Sequence, residues 1–276
     1  MHENIDRVPA VAGTFYPSEP KVLRDDIDSY LDSAAGIDKV PGAVIGLISP
    51  HAGYMYSGRV AAAAYCQLSR ADYDYVLVIS PSHHTYFQGA SLYSSGDYQT
   101  PLGVIPLAGD IVQKLLSEYS VFHYVDQAHR QEHALEVQLP FLQVVLSKFA
   151  LIPVVMGSQD WETASMMVEA LGTVLFGKRV LLVASSDLSH YHSYDEAVSL
   201  DSNILEAVNN NDSRALWNVV AGGKAEACGA GPMVAVMMLA AKLGATGARV
   251  VAYQNSGDVT GDRGQVVGYM AAAIYK

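Results

Sequence analysis

The sequence predicts an α/β domain, with a mixed, largely parallel sheet covered by helices on both faces. Three observations point to it. Short β-branched runs alternate with amphipathic stretches along the chain. Apolar residues make up 50% of the 276 and charged residues 16%, the balance of a chain with a sizeable core. No long linker, low-complexity tract or fixed-period repeat breaks the pattern, so residues 1–276 read as a single domain.

The elements follow in order. Residues 18–31 predict a first helix, with Ser18 as N-cap and Pro20 in the first turn. Residues 43–49 (AVIGLIS) read as a buried strand, and 57–68 as a helix with a small-residue face of Val60, Ala61 and Ala64. Residues 75–79 (YVLVI) form a second buried strand. The polar, Tyr/Ser/Gly-rich stretch 86–106 leaves the sheet as a hairpin or a lid. Helices are expected at 110–119 and 132–148, a strand at 151–155, a helix at 160–175 and a fourth strand at 180–184. Residues 193–208 read as a helix opened by a capping box of Ser193 and Glu196, followed by a helix at 212–221. Pro232 is expected as first residue of a helix running to 243, and strands at 250–253 and 266–275 close the chain.

Charge and composition exclude several function classes. There are 17 basic and 28 acidic residues, a formal net of −11, with no Lys/Arg run. Such a chain is poorly suited to nucleic acid or to an anionic membrane surface, and its charge serves solubility. Residues 1–10 include His2, Glu3, Asp6 and Arg7 and no apolar h-region, so no signal peptide is expected. No stretch of ~18 uncharged apolar residues predicts a transmembrane helix. Cys66 and Cys228 are the only cysteines, which excludes a disulfide framework and fits the cytoplasm, or leaves one thiol with a chemical task.

In an open α/β sheet, ligands bind beyond the carboxyl ends of the strands. Three of those ends carry histidine: Ser49-Pro50-His51, Ser80-Pro81-Ser82-His83-His84 and Ser185-Ser186-Asp187-Leu188-Ser189-His190-Tyr191-His192. Five of the nine histidines lie in these loops. One loop histidine is usually a surface group, but adjacent strands lie ~4.8 Å apart and bring their loops into contact. Proline ends the first two ladders, at Pro50 and Pro81, and turns the chain out of the sheet. Gly53 and Gly58 flank Tyr54, Tyr56 and Ser57, a turn into a helix N-terminus able to hold an anion.

Glu132-His133-Ala134-Leu135-Glu136 opens a helix with His133 and Glu136 on one face, and its acids also complement the helix dipole. His129 to His133 spells H-x-x-E-H, the inverted zincin pattern, which needs both histidines on one helix. Cys228 precedes a helix N-terminus, where a thiol is expected to have a lowered pKa; Cys66 reads as an inert core thiol. A near P-loop at 172–179 has Arg179 where Ser or Thr must hold magnesium, and neither G-x-G-x-x-G nor G-x-S-x-G occurs. What remains is a His-rich cleft with a thiol or carboxylate, a donor set for Fe(II), Cu or Zn, with a further histidine as acid or base.

Six motifs in order resemble the Memo family: Ala12-Gly13-Thr14-Phe15-Tyr16-Pro17, Pro50-His51-Ala52-Gly53-Tyr54, Pro81-Ser82-His83-His84, Glu132 to Glu136 with Leu139-Pro140, Ser185 to His190, and Cys228-Gly229. The resemblance spans nearly the whole chain and looks like a prokaryotic member, of the sort encoded near an AMMECR-like and a radical-SAM protein. It implies a fold similar to class III, non-haem iron extradiol dioxygenases, with His51, His83 and Cys228 as metal ligands. A carboxylate stands in those dioxygenases where Cys228 would stand here, and a thiolate also favours copper or zinc. His190 would match the acid/base histidine, with Asp187 and His133 beside it as catalytic groups. Phe15 and Tyr16 would line the cleft, with Tyr54, His84 and Glu136 also facing substrate. Animal relatives are described as binding a phosphotyrosine peptide and as metal-dependent redox proteins. Ala230-Gly231 replaces the bulkier pair expected in animal members and widens the pocket.

The leading expectation is a metal-binding redox protein, Fe(II) first and Cu or Zn next, acting on a small molecule or peptide. The rivals are a non-enzymatic module that binds a peptide or anion in the same cleft, and a zinc hydrolase that depends on His129.

Overall fold

β-Branched and aliphatic runs become strands buried on both sides, and the amphipathic stretches between them become the helices that bury them. The computed structural model describes residues 5–68 and 73–276. Residues 1–4, which include His2 and Glu3 of the sequence reading, lie outside the described residues. The elements run α1 (Pro20–Ser33), β1 (Val44–Ser49), α2 (Tyr54–Tyr65), β2 (Tyr75–Pro81), β3 (Ala90–Leu92), β4 (Tyr98–Thr100), β5 (Gly103–Ile105) and α3 (Gly109–Glu118). Next come β6 (Phe122–His123), α4 (Asp126–Arg130), α5 (His133–Glu136), α6 (Gln138–Val145), β7 (Ala150–Met156), α7 (Trp161–Val174), β8 (Val180–Ser185) and β9 (His190–His192). The chain continues through α8 (Tyr194–Asn209), α9 (Ser213–Ala221), α10 (Ala230–Lys242), β10 (Gly247–Asn255), α11 (Ser256–Thr260) and β11 (Val266–Tyr275).

The main sheet has the order β10-β11-β1-β8-β2-β7-β3-β6, with β9 paired to β11. Its centre, β1-β8-β2-β7, is parallel; β11 and β3 join it antiparallel. Alternate strand residues feed two cores. Leu77, Ile79, Leu182, Ala184, Met270 and Ala272 pack with α3 and α7 to α10. Val76, Val78, Leu181, Val183, Ala271 and Ala273 pack with α1, α2 and α6. Period-2 alternation with both faces apolar is what a helix layer on each side requires. Among the described residues no helix is long and apolar enough to cross a membrane.

Several boundaries differ from expectation. The N-cap of α1 is Glu19, whose carboxylate accepts the Val22 N–H at 2.8 Å, not Ser18. Ser193 precedes α8, but its side chain makes no cap bond, so the expected box with Glu196 is absent. α2 begins at Tyr54 after Gly53, and Pro232 is the third residue of α10, not the first. The helix expected over 132–148 is broken into α5 and α6. Pro140 lacks the N–H that would bond the Glu136 carbonyl, so a continuous helix cannot close there. The stretch 86–106 gives β3 to the main sheet and forms the β4–β5 hairpin.

Candidate metal centre

β1, β8 and β2 are parallel neighbours in register, Ser49 opposite Ser185 and Ile79 opposite Ala184. Their following loops therefore leave on one rim, where the sequence places His51, Asp187 to His190, and His83. His51 is 2% exposed. Its backbone N–H donates to Asp187 Oδ1 at 2.7 Å, its Nδ1 lies 3.0 Å from Ser185 Oγ, and its Nε2 lies 3.1 Å from Cys228 Sγ. The Ser185 hydroxyl has one proton and gives it to the Ala134 carbonyl at 2.6 Å. It must then accept from His51, so Nδ1 carries the ring proton and the Nε2 lone pair faces Cys228. Burial first, and the charge of His83 second, push the His51 pKa down to about 3. His51 is a neutral imidazole at neutral pH, the form that ligates metal.

His83 and His190 are set the same way. Glu132, 1% exposed, accepts the His83 backbone N–H at 2.6 Å and His83 Nδ1 at 2.8 Å. Burial opposes ionisation of Glu132, but its hydrogen bonds and the His83 charge win and hold its pKa down to about 2. Burial likewise works against the His83 cation, and the Glu132 bond and charge outweigh it and raise the pKa. A carboxylate accepts only, so His83 Nδ1 is the donor and Nε2 is left free, the carboxylate–histidine pairing common behind metal ligands. His190 Nδ1 lies 2.7 Å from the Leu188 carbonyl, again a pure acceptor, so Nδ1 is the donor and the neutral ring takes the tautomer with its lone pair on Nε2.

His51, His83 and Cys228 each offer a ligand atom within 4.8 Å of the others. For a metal–nitrogen bond of about 2.1 Å and a metal–sulfur bond of about 2.3 Å, the 3.1 Å between His51 Nε2 and Cys228 Sγ is one edge of a coordination polyhedron. The donor set fits a metal ion. Cys228 departs from one expectation: its pKa is not lowered by the start of α10 but raised, by burial first and by the Asp187 carboxylate second. The Asp187 N–H, 3.3 Å from Sγ, only partly offsets this. The thiol therefore keeps its proton until a cation replaces it.

The other expected residues fall into two groups. His133 stacks on His83 with centroids 4.6 Å apart at 29°, stands edge-on to His51 at 5.4 Å, and contacts Phe15 at 4.8 Å. Burial and the neighbouring His51 push its pKa down to about 4. His84 is exposed, 6.3 Å from His133, and Asp187 is buried with its pKa raised by that burial. These residues belong to the cluster or its rim. Tyr16, Tyr54 and Glu136, expected to face substrate, are instead 3%, 4% and 0% exposed. Their polar atoms are used inside the chain: Tyr54 donates to the Val137 carbonyl at 2.7 Å, and Glu136 takes the Tyr16 hydroxyl, Arg7 and the Ala10 N–H. They form the layer that fixes the N-terminal segment to α5.

His129 sits on α4 and His133 on α5, so H-x-x-E-H does not lie on one helix. Both His129 nitrogens are occupied, by Ser91 Oγ at 2.9 Å and Tyr98 Oη at 2.8 Å, which removes the zincin pair. Sequence reasoning missed Ser185 and underread Glu132, whose place at the start of a helix resembles ordinary dipole complementation. The signal for Ser185 was its position as the last residue of a buried strand.

A Memo-like protein family model matches residues 7–273. A MEMO1 family protein of Methanosarcina barkeri is 38% identical over 275 residues, covering 97% of this chain and 99% of its own. One from Methanothermobacter thermautotrophicus is 36% identical over 271 residues (95% and 98%), and one from Saccharolobus solfataricus 35% over 279 residues (96% and 98%).

Proposed function

The chain belongs to the Memo family, and on that premise we propose that it is a non-haem metal protein with a redox or oxygen-dependent activity, in which His51, His83 and Cys228 hold the metal. The observation that carries the reading is the convergence of the Cys228 thiol with two imidazoles whose Nδ1 atoms are already engaged. Fe(II) is the metal we assign first, with copper and zinc as the others that two nitrogens and a sulfur accept. When bound, the metal supplies Lewis acidity and, as iron or copper, electron transfer. We read the scaffold as of the class III extradiol dioxygenase type, with a thiol in the place of its carboxylate ligand.

The chain's own residues perform the remaining tasks. Ser185 and Glu132 hold the His51 and His83 rings with Nε2 outward. Asp187 fixes the His51 backbone through one carboxylate oxygen and its own N–H reaches Cys228. His190 takes a proton at Nε2 from the ligand in the cleft and returns it, as its Nδ1–H is tied to Leu188. His133 packs on the His83 ring, with Phe15 on His133 in turn, and the two limit water on that side. The ligand is a small molecule or peptide, and the exposed His84 stands at the rim of the cluster.

Cobalt substitution tests the assignment. The wild-type chain loaded with Co(II) should show a thiolate-to-cobalt charge-transfer band that Cys228→Ser removes and His133→Ala keeps. A cobalt spectrum with no thiolate band would overturn the ligand set.

A further inference from the structure

Asp201 is a fully buried carboxylate on α8, outside the metal cluster, with 0% exposure. An apolar residue would fill that place on a helix face at lower cost, so the carboxylate marks a demand made by its partners. There are two of them. Oδ1 accepts the backbone N–H of Ser189 at 3.0 Å, and Oδ2 accepts the Tyr253 hydroxyl from β10 at 2.7 Å. Burial raises the Asp201 pKa, and these two donors, together with the Ser189 side chain and the charge of nearby His190, work against it.

The Ser189 N–H and the Leu188 C=O belong to one peptide group. Its N–H points at Asp201 and its C=O receives His190 Nδ1 at 2.7 Å. In a trans peptide these two groups point in opposite directions, so the plane stands between the carboxylate and the imidazole. The flanking chain is tied down as well: Leu188 N–H donates to the Gly268 carbonyl at 2.8 Å, and Gly268 N–H to the Ser189 carbonyl at 3.0 Å. Gly268 also leaves room for the carboxylate, since a Cβ there would lie 1.9 Å from Asp201 Oδ2.

We propose that Asp201 is the positioning residue of His190, acting through the intervening Leu188–Ser189 peptide as the carboxylate of an Asp–His pair acts directly. The carboxylate holds the peptide plane, and hydrogen bonds in series polarise one another. The Leu188 carbonyl then binds the Nδ1–H tautomer of His190 and leaves Nε2 as the proton acceptor in the cleft. The inference rests on the proton role given to His190 for its importance, but its geometry is independent of any metal.

Nitrogen-15 NMR of the metal-free full-length chain tests it, with the His190 ring signals assigned by His190→Gln. The wild type should hold the Nδ1–H tautomer. Asp201→Ala should lower the ratio of Nδ1–H to Nε2–H about fivefold or more, the worth of roughly one hydrogen bond. Asp201→Asn keeps an acceptor for the Ser189 N–H and should restore the tautomer, while the Ser189 and His190 Nδ1 proton signals both move upfield as the charge is lost. If Asp201→Ala does not fold, the paired movement in Asp201→Asn decides the matter. A His190 ring unchanged in Asp201→Asn, while the Ser189 amide moves, would overturn the proposal and leave Asp201 a merely structural acid. Because no metal enters the measurement, failure of the metal assignment would leave this result standing.

Discussion

The Ser185 hydroxyl, with one proton and several neighbours, decides how His51 presents itself. Its proton goes to Ala134, so His51 must donate from Nδ1. Glu132 does the same for His83 with a charge. Glu132→Gln keeps the size of the side chain and loses that charge, and it is expected to weaken metal binding by about 10–100-fold. Competition against a chelator of known affinity measures this; an unchanged affinity would mean that the carboxylate does not support the ligand. The Arg7–Glu136 pair has a different task. Both side chains are buried, and Glu136 also takes the Tyr16 hydroxyl and the Ala10 and Val11 N–H groups. Arg7→Met strands a buried carboxylate and should cost about 3–5 kcal/mol in urea unfolding. A loss under 1 kcal/mol would show that the N-terminal segment is not anchored there. The sequence carries no sign of this pair, since Arg7 and Glu136 lie 129 residues apart in the chain and Glu136 reads instead as a group facing substrate.

The strand-end loops were the most legible part of the site. Parallel strands leave their loops on one rim, so the histidines following AVIGLIS and YVLVI meet, the His51 and His83 rings 5.2 Å apart, and His190, after the strand ending at Ser185, is near enough for its charge to lower the His51 pKa. Hidden from the sequence were the short strands. β3, β6 and β9 have three, two and three residues, too few for a period-2 pattern to stand out. The break between α5 and α6 was signalled by Pro140, which the apolar run around it concealed. The close approach of β11 to α8 was also silent. Gly268→Ala would push a methyl group into Asp201, and overpacking of this kind costs about 1–3 kcal/mol. Thermal unfolding of the variant should show that loss, and Asp201→Ala in the same chain should recover part of it. An additive double variant would mean that the two positions do not touch.

Across the whole molecule, folding buries several histidines in neutral form. Burial is the largest cause for each of His51, His129 and His133, whose pKa values fall to about 3, about 3 and about 4 from an ordinary 6.5. The unfolded chain binds their protons below 6.5 and the native chain does not, so their contribution is complete above 6.5 and is lost as the pH falls toward 3–4. Glu132, depressed from 4.5 to about 2, adds a loss in the same direction at lower pH. His83 acts oppositely: its raised pKa favours the fold below 6.5 and that part fades at higher pH. The metal-free chain should therefore lose stability between pH 6 and 4 by up to about 1.4 kcal/mol per pH unit for each buried histidine. Urea titrations over that range measure it, and His129→Gln should reduce the slope; a flat profile would mean that these rings are charged in the native state.

The central claim is that His51, His83 and Cys228 form one metal centre. Elemental mass spectrometry tests it most directly, on tag-free protein purified without oxygen, with wild type, Cys228→Ser and His51→Ala side by side. The account expects near-stoichiometric iron, or copper or zinc, in the wild type and its loss from both variants. A wild type that holds no metal and takes up neither Fe(II), Cu(I) nor Zn(II) on titration would contradict it.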